Sequence, residues 1–320
     1  MQIERLVAGQ HELAVTPEIG AGLAWLKTRD GNGTDWHWLR QTPSANRPTP
    51  RDLGLFLLAP FSNRIANARF RLRDRDIQLS ANFPPEHHAI HGVAWSSAWQ
   101  LDSKTERVMQ LSLACEDHPV GDHPVSPHLV WPQFVWPQLV WPQLVWPWQM
   151  RMEVAYELDE TGLSIRLGVT NLDSTEMPCG LGIHPYFPRT DGVSVFTQAA
   201  AIVRNDNHMV PTGLDKDHSA LSTLRDGQPL PVGLDNGLFQ WSGAARIHWP
   251  KSGRSLRLEV VPTCQWAVLF TPRSEPYFCF EPVSHQTNAH NGALPGVDDT
   301  GLVWLPPRET QSATFRLDLG

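Results

Sequence analysis

The stretch MRMEVAYELDETGLSIRLGVTN, residues 150–171, decides how the rest of the chain is read. From Met150 to Leu158 apolar and polar side chains alternate, DETG at 159–162 has turn chemistry, and the alternation resumes from Leu163. A period of two on either side of a tight turn is the pattern of a β-hairpin with one buried face. The same grammar recurs in ARFRLRDRDIQLS, SLRLEVVP, WAVLFTP and ATFRLDLG, each bounded by Gly, Pro, Asn or Asp. Long stretches at helical period are scarce, and 28 prolines argue further against long helices. The chain is therefore expected to be all-β, with two large antiparallel sheets packed face to face and few short helices.

A length of 320 residues allows a sizeable core, and 41% apolar against 18% charged residues describes a globular chain rather than a disordered one. No Gly/Ser tract divides it, so residues 1–320 are expected to form one sandwich domain. With 26 basic and 33 acidic residues the formal charge is −7, which disfavours nucleic acid and anionic membranes as partners. The N-terminus MQIERLVAGQHELAV has no signal-peptide pattern, and no later run has the length of a membrane span. Cys115, Cys179, Cys264 and Cys279 are widely spaced and form no CxxC, so they are expected to be reduced, buried thiols of a cytoplasmic protein.

Residues 117–148 break the pattern. DHPVGDHPVS leads into LVWPQ, FVWPQ, LVWPQ and LVWPW, four pentads laid end to end. A period of five fits neither helix nor strand, and a proline in every pentad removes ladder donors. The segment is expected to be an insertion between a strand ending near Cys115 and one beginning near Gln149, and the Trp/Pro arm is a candidate for self-association. Trp131, Trp136, Trp141 and Trp146 need cover from the sandwich, one another or a second chain. His118, His123 and His128 share the five-residue spacing, which matches no common metal-ligand pattern.

Three further stretches place polar groups inside apolar contexts. Asn63 and Arg64 interrupt APFSNRIANARF, where an arginine fork suits adjacent hydroxyls or a carboxylate. PPEHHAIHGVAW carries His87, His88 and His91, with Gly92 giving the backbone room at the last, and lacks the glutamate of a zinc helix motif. GLGIHPYFPR holds His184 between a glycine-rich approach and a Pro-aromatic turn. Near the C-terminus Glu281 closes the strand-like run Tyr277 to Phe280, a costly place for a carboxylate unless it is paired or employed. A histidine and a glutamate supply an acid and a base, enough to move protons without metal or cofactor. Nucleotide-binding glycine loops and the GxSxG elbow are absent from the sequence.

Taken in order, NRIANARF (63–70), HAIHG (88–92), GIHPYF (182–187), PTG (211–213), LDN (234–236) and EPVSHQTNAHN (281–291) resemble the aldose 1-epimerase, or galactose mutarotase-like, family. The resemblance implies a large antiparallel β-supersandwich and a cofactor-independent isomerase with no metal, acting on a small-molecule sugar as a monomer or homodimer. It implies that Glu281 is the general base at the anomeric hydroxyl and His184 the general acid at the ring oxygen. Arg64, His91 and Asp235 match residues that hold sugar oxygens, with Asn63 orienting the Arg64 loop. Trp95, Trp99, Tyr186 and Phe187 are placed to wall the sugar, Trp99 and Phe187 fitting core packing better. Ile183 and Pro185 flank His184, and Asn288 stands where the family usually has Asp, so the sugar is left open: glucose, galactose, another aldose, a hexose phosphate or a sulfosugar. The alternatives are a hexose-6-phosphate 1-epimerase, for which Arg69, Arg71 and Arg189 are the candidate basic residues, and a non-catalytic carbohydrate-binding sandwich.

Overall fold

A computed structural model describes residues 2–43, 48–115, 144, 146–262 and 264–320. The 150–171 stretch is the expected hairpin: Met150–Leu158 and Gly162–Asn171 pair antiparallel from Met150↔Asn171 to Leu158↔Leu163. Its outgoing strand alternates between buried and more exposed positions without a break. Asp159 closes the turn by accepting from the Thr161 and Gly162 amides at 2.7 and 2.9 Å, the side-chain turn that aspartate favours.

Two large sheets follow from repetition of this unit. One has 11 strands and the other 8, with every strand pairing antiparallel, and three two-stranded ribbons border them. The described residues contain one α-helix, Ser219–Arg225, and four single 3-10 turns. The main core lies between the sheets, where Leu57, Ile183, Phe187, Leu269, Phe278 and Phe280 of the larger meet Met152, Val154, Ile165, Leu167 and Phe315 of the smaller. Tyr156 fastens the two across this layer, its hydroxyl donating to the Ala21 carbonyl at 2.6 Å. Cys115, Cys179, Cys264 and Cys279 are all free and buried. No helix among the described residues is long and apolar enough to cross a membrane.

The larger sheet also buries side chains on its other face. Strands Leu55–Leu58, Gly182–Pro188, Tyr277–Val283, Trp266–Phe270 and Asp235–Phe239 lie side by side in that order. Their alternate residues, Phe56, Leu58, Tyr186, Cys279, Val283, Trp266, Val268 and Phe239, form a second apolar cluster with Trp95. A strand's period of two thus divides each of these five strands between two environments.

The pentad insertion enters where it was expected. Val108–Cys115 and Met150–Leu158 are neighbouring strands, and Cys115 lies directly opposite Met150. Trp131, Trp136, Trp141, His118, His123 and His128 lie outside the described residues. Trp146, in the last pentad, takes the first of the covers expected for it, the sandwich: it is 1% exposed and packs on Phe61 and Trp148 at centroid distances of 5.4 and 5.2 Å. An indole set between aromatic neighbours beside the next strand buries more apolar area than a loop position would leave it.

Candidate active site

The six residues singled out from sequence fall on or beside the second face of the larger sheet. Register explains why. The Gly182–Pro188 and Tyr277–Val283 strands pair Gly182 with Val283 and Tyr186 with Cys279, which puts His184 opposite Glu281 between them. Both side chains point to the same face, and His184 Nε2 stands 3.1 Å from Glu281 Oε1. His184 is 7% and Glu281 3% exposed, so the contact is made almost without water. Pro185 and Pro282 stand beside them in central strands, where proline is rare because it cannot donate to the ladder. The pairing between the two strands skips the three positions around His184.

Burial acts on the pair in opposite senses. It raises the Glu281 carboxyl well above its ordinary value, helped by the Asp235 charge and opposed by Arg64. It lowers the His184 imidazole well below the usual histidine range, helped by His91 and the Arg40 charge. A neutral acid beside a neutral imidazole and a carboxylate beside an imidazolium contain the same number of protons, so one proton moving across 3.1 Å converts one into the other. Burial favours the neutral form, whereas polar groups arriving in the site favour the charged one.

Rings hold His184 in place. Tyr186 stacks on it at 4.7 Å and 19°, and Phe56 lies at 4.4 Å on a tilted plane. His91 meets it edge-on at 5.3 Å. Trp95, placed by its indole N–H on the Gly92 carbonyl at 3.1 Å, completes the wall with Phe56 and His91. Trp99 and Phe187 belong to the main core, as their expected packing role requires.

The HG of AIHGVAW works as a backbone device. Gly92 has φ +69°, and a Cβ there would stand 2.1 Å from the Ala59 carbonyl oxygen, so no larger residue fits without moving the loop. His91 itself is left-handed at φ +62°, as is Asn63 at +53°. The two exchange bonds: the His91 amide donates to the Asn63 carbonyl at 2.9 Å, and the Asn63 amide donates to His91 Nδ1 at 3.2 Å. A neutral ring that accepts at Nδ1 carries its proton on Nε2, so His91 has a donor at Nε2. Burial, reinforced by the Arg64 charge, pushes its pKa down to about 3, which keeps the ring neutral.

Arg64 is aimed by a carboxylate absent from the sequence-derived set. Its Nε and Nη2 donate to Glu86 at 2.8 and 2.9 Å, and its Nη1 donates to Asn63 Oδ1 at 3.2 Å. Burial, the largest single influence, opposes the guanidinium charge, and the Glu86 bonds together with the Glu86, Asp235 and Glu281 charges outweigh it. Asn288, in the position where an aspartate was anticipated, adopts φ +62° and accepts the Ala66 amide at 2.9 Å, while its own amide donates to the Arg64 carbonyl at 2.9 Å. Asparagine tolerates that backbone and clamps the loop behind Arg64. Asp235 opens the Asp235–Phe239 strand, and its carboxyl is raised by burial against the pull of Arg64. It acts electrostatically on Glu281, so the structure brings all six residues into one neighbourhood.

Other sequence candidates have different employment. His88 ties loops together, accepting the Asn67 amide at Nδ1 and meeting the His208 carbonyl at Nε2, and His87 is exposed. His285 Nε2 accepts the Ser62 amide at 3.0 Å. Arg189 donates to the Pro272 and Pro231 carbonyls, Arg69 to exposed Asp76, and Arg71 to the Arg73 carbonyl. Ligand atoms of His184, Cys279 and Glu281 lie within 4.8 Å of one another, the one such group of three among the described residues. The Cys279 thiol is pushed well up by burial and by the Glu281 charge, the opposite of what a thiolate ligand needs.

An antiparallel supersandwich with a buried acid–base pair on one sheet face defines a galactose mutarotase-like protein. The aldose 1-epimerase family profile matches residues 4–318, and the chain belongs to that family of isomerases. An uncharacterised protein of Escherichia coli K12, YphB, is 26% identical over 315 residues, covering 91% of this chain and 94% of its own length. A crystal structure of a presumed aldose 1-epimerase from the same organism superposes with a TM-score of 0.82 at 24% identity, covering 100% of this chain and 99% of that one. A galactose mutarotase-like protein of Clostridium acetobutylicum gives 0.77 at 20% identity, covering 99% and 94%.

Proposed function

We propose that the protein interconverts the α and β anomers of a six-carbon aldose, opening and reclosing the pyranose ring with His184 as acid and Glu281 as base. The observation that carries this reading is the 3.1 Å contact between His184 Nε2 and Glu281 Oε1 on a sheet face. The Glu281 carboxylate takes the proton from the anomeric hydroxyl while His184 gives one to the ring oxygen, and the C1–O5 bond breaks. Rotation about C1–C2 and reclosure with the roles reversed give the other anomer. Ring opening leaves a protonated Glu281 and a neutral His184, the form that burial favours, so desolvation assists both transfers. Neither step changes oxidation state or moves a group between molecules, so the reaction balances without a cofactor.

Arg64, the His91 Nε2–H and Asp235 supply fixed donors and an acceptor for hydroxyls, and Phe56, Trp95 and Tyr186 supply an apolar wall for the ring faces. Polarimetry or NMR exchange of freshly dissolved α-glucose and α-galactose tests the reading, run with Glu281→Gln and with EDTA. Acceleration that survives EDTA and disappears with Glu281→Gln supports it. Acceleration that Glu281→Gln leaves intact sinks it.

A further inference from the structure

Arg40 is a charged group of this neighbourhood that the proposed reaction leaves without a task. Its Cζ lies 3.7 Å from the centre of the Tyr186 ring and 4.8 Å from that of Tyr277. Tyr186 in turn stacks on His184, so the guanidinium is one aromatic ring away from the acid. The main chain fixes that position: the Arg40 amide donates to the Tyr186 carbonyl at 2.8 Å, and Tyr186 donates to Gly54 at 2.9 Å.

Among the described residues the cation pairs with no carboxylate, whereas Arg64, Arg69, Arg73 and Arg316 each pair with one. One Arg40 nitrogen, Nη2, donates to the Leu53 and Arg51 carbonyls, and Nε is buried with no hydrogen-bond partner. Glu275 acts on Tyr277 but does not pair with Arg40 among the described residues, and Arg51 adds a second positive charge within electrostatic reach of Tyr277. A partly desolvated guanidinium with donors to spare, set on aromatic faces, is poised for an anion.

Its placement indicates which part of a sugar it meets. In the proposed reaction His184 faces the ring oxygen, the ring oxygen is bonded to C5, and C6 hangs from C5. Arg40 lies beyond Tyr186, which shares a strand with His184, whereas Asp235 starts a strand two places away on the far side of Glu281. We propose that Arg40 forms an anion-binding subsite at the C6 end, so that the physiological substrate is a hexose bearing a carboxylate, phosphate or sulfonate at C6. This rests on the anomerase reading above. Arg69, Arg71 and Arg189, the basic residues that sequence offered for this purpose, are engaged elsewhere.

The test compares anomerisation of glucose with that of glucuronate, glucose 6-phosphate and a 6-sulfonated glucose at constant ionic strength, in the full chain and in Arg40→Lys and Arg40→Met. The expected result is a kcat/KM at least tenfold higher for one of the acidic sugars than for glucose. The three acids together identify which anion is preferred. Arg40→Met brings that ratio close to one, and Arg40→Lys keeps part of it while preserving charge in case the truncated variant folds poorly. A wild-type ratio near one, or an Arg40→Met variant that loses acidic and neutral sugars equally, overturns the subsite and leaves the anomerase reading standing. Calorimetric titration with the same three acids reads the subsite independently of turnover: affinities that Arg40→Met does not weaken overturn it even where no sugar is turned over.

Discussion

Arg64 and Glu86 meet side-on, two guanidinium nitrogens against two carboxylate oxygens at 2.8 and 2.9 Å, so the fork is oriented before any sugar arrives. In the proposed reaction Glu86 is a positioning residue, which aims the Arg64 donor. Replacing it with Gln removes one of the charge-assisted bonds, each worth about 1.5–3 kcal/mol. The expected outcome is a KM raised roughly tenfold or more with a smaller change in kcat, read from initial rates of anomerisation. An unchanged KM would detach Arg64 from substrate binding.

His184→Gln and Glu281→Gln should each lower kcat/KM by about 10²–10⁴-fold, the usual range for a general acid or base. The double variant should be little worse than the poorer single one, because the proposed reaction uses the two groups as one proton relay. Circular dichroism at matched temperature establishes that both variants are folded. Independent, multiplicative losses would contradict a coupled pair.

The pH profile should be bell-shaped, and the limbs have a definite assignment. As pH falls, the pair gains a second proton at His184, whose affinity burial has reduced, so the acid limb lies below the ordinary histidine value of about 6.5. As pH rises, the pair loses its shared proton from Glu281, whose affinity burial has raised, so the alkaline limb lies above the ordinary carboxylate value. Activity should therefore be maximal between the two, measured as kcat/KM across a constant-ionic-strength buffer series. An acid limb above 6.5 would assign the roles differently.

Buried histidines also make stability pH-dependent. His285, pushed down to about 4 by burial, takes up its proton in the unfolded chain first as pH falls. The unfolded state binds more protons in that window, so stability present above about 6.5 is withdrawn between there and about 4. The loss from this ring at pH 5 is on the order of 1–2 kcal/mol. His290, lowered in the same direction, adds to it. Urea unfolding at pH 7 and pH 5 measures the difference, and equal or greater stability at pH 5 would refute the assignment.

The tandem pentads carry two predictions. Trp146→Ala should cost about 3–5 kcal/mol, the usual loss for emptying a core aromatic site. Deleting two copies from residues 129–143 while keeping 144–148 should leave anomerisation largely unchanged, since Cys115 and Met150 are paired directly. A deletion variant that stays folded but loses its activity would tie the repeat to catalysis.

Strand alternation and turn chemistry made the hairpin at 150–171 legible, because both are local properties of the backbone. The neighbourhood of His184 and Glu281 was legible only through collinear motifs, since their contact is set by strands far apart in sequence. Glu86 sat inside a motif already noticed, between prolines and histidines, and nothing local distinguishes an aiming carboxylate from a loop one. Arg40 and Phe56 carry no sequence signal at all: the one is singled out by its seat on Tyr186 with no ion pair among the described residues, the other by a strand that lies beside that of His184. Repetition in sequence cannot say which of the three expected covers each Trp finds, and only Trp146 lies within the described residues, where the sandwich covers it.

The division of the central strands has an evolutionary consequence. His184 and Tyr186 alternate with Ile183 and Phe187, and Cys279 and Glu281 alternate with Phe278 and Phe280. One set lies on the face of the proposed site and the other faces the opposing sheet, so on that reading ligand preference can drift without dismantling the interior. A saturation library scored separately for abundance and turnover should show the two scores rising and falling out of phase, residue by residue, along both strands.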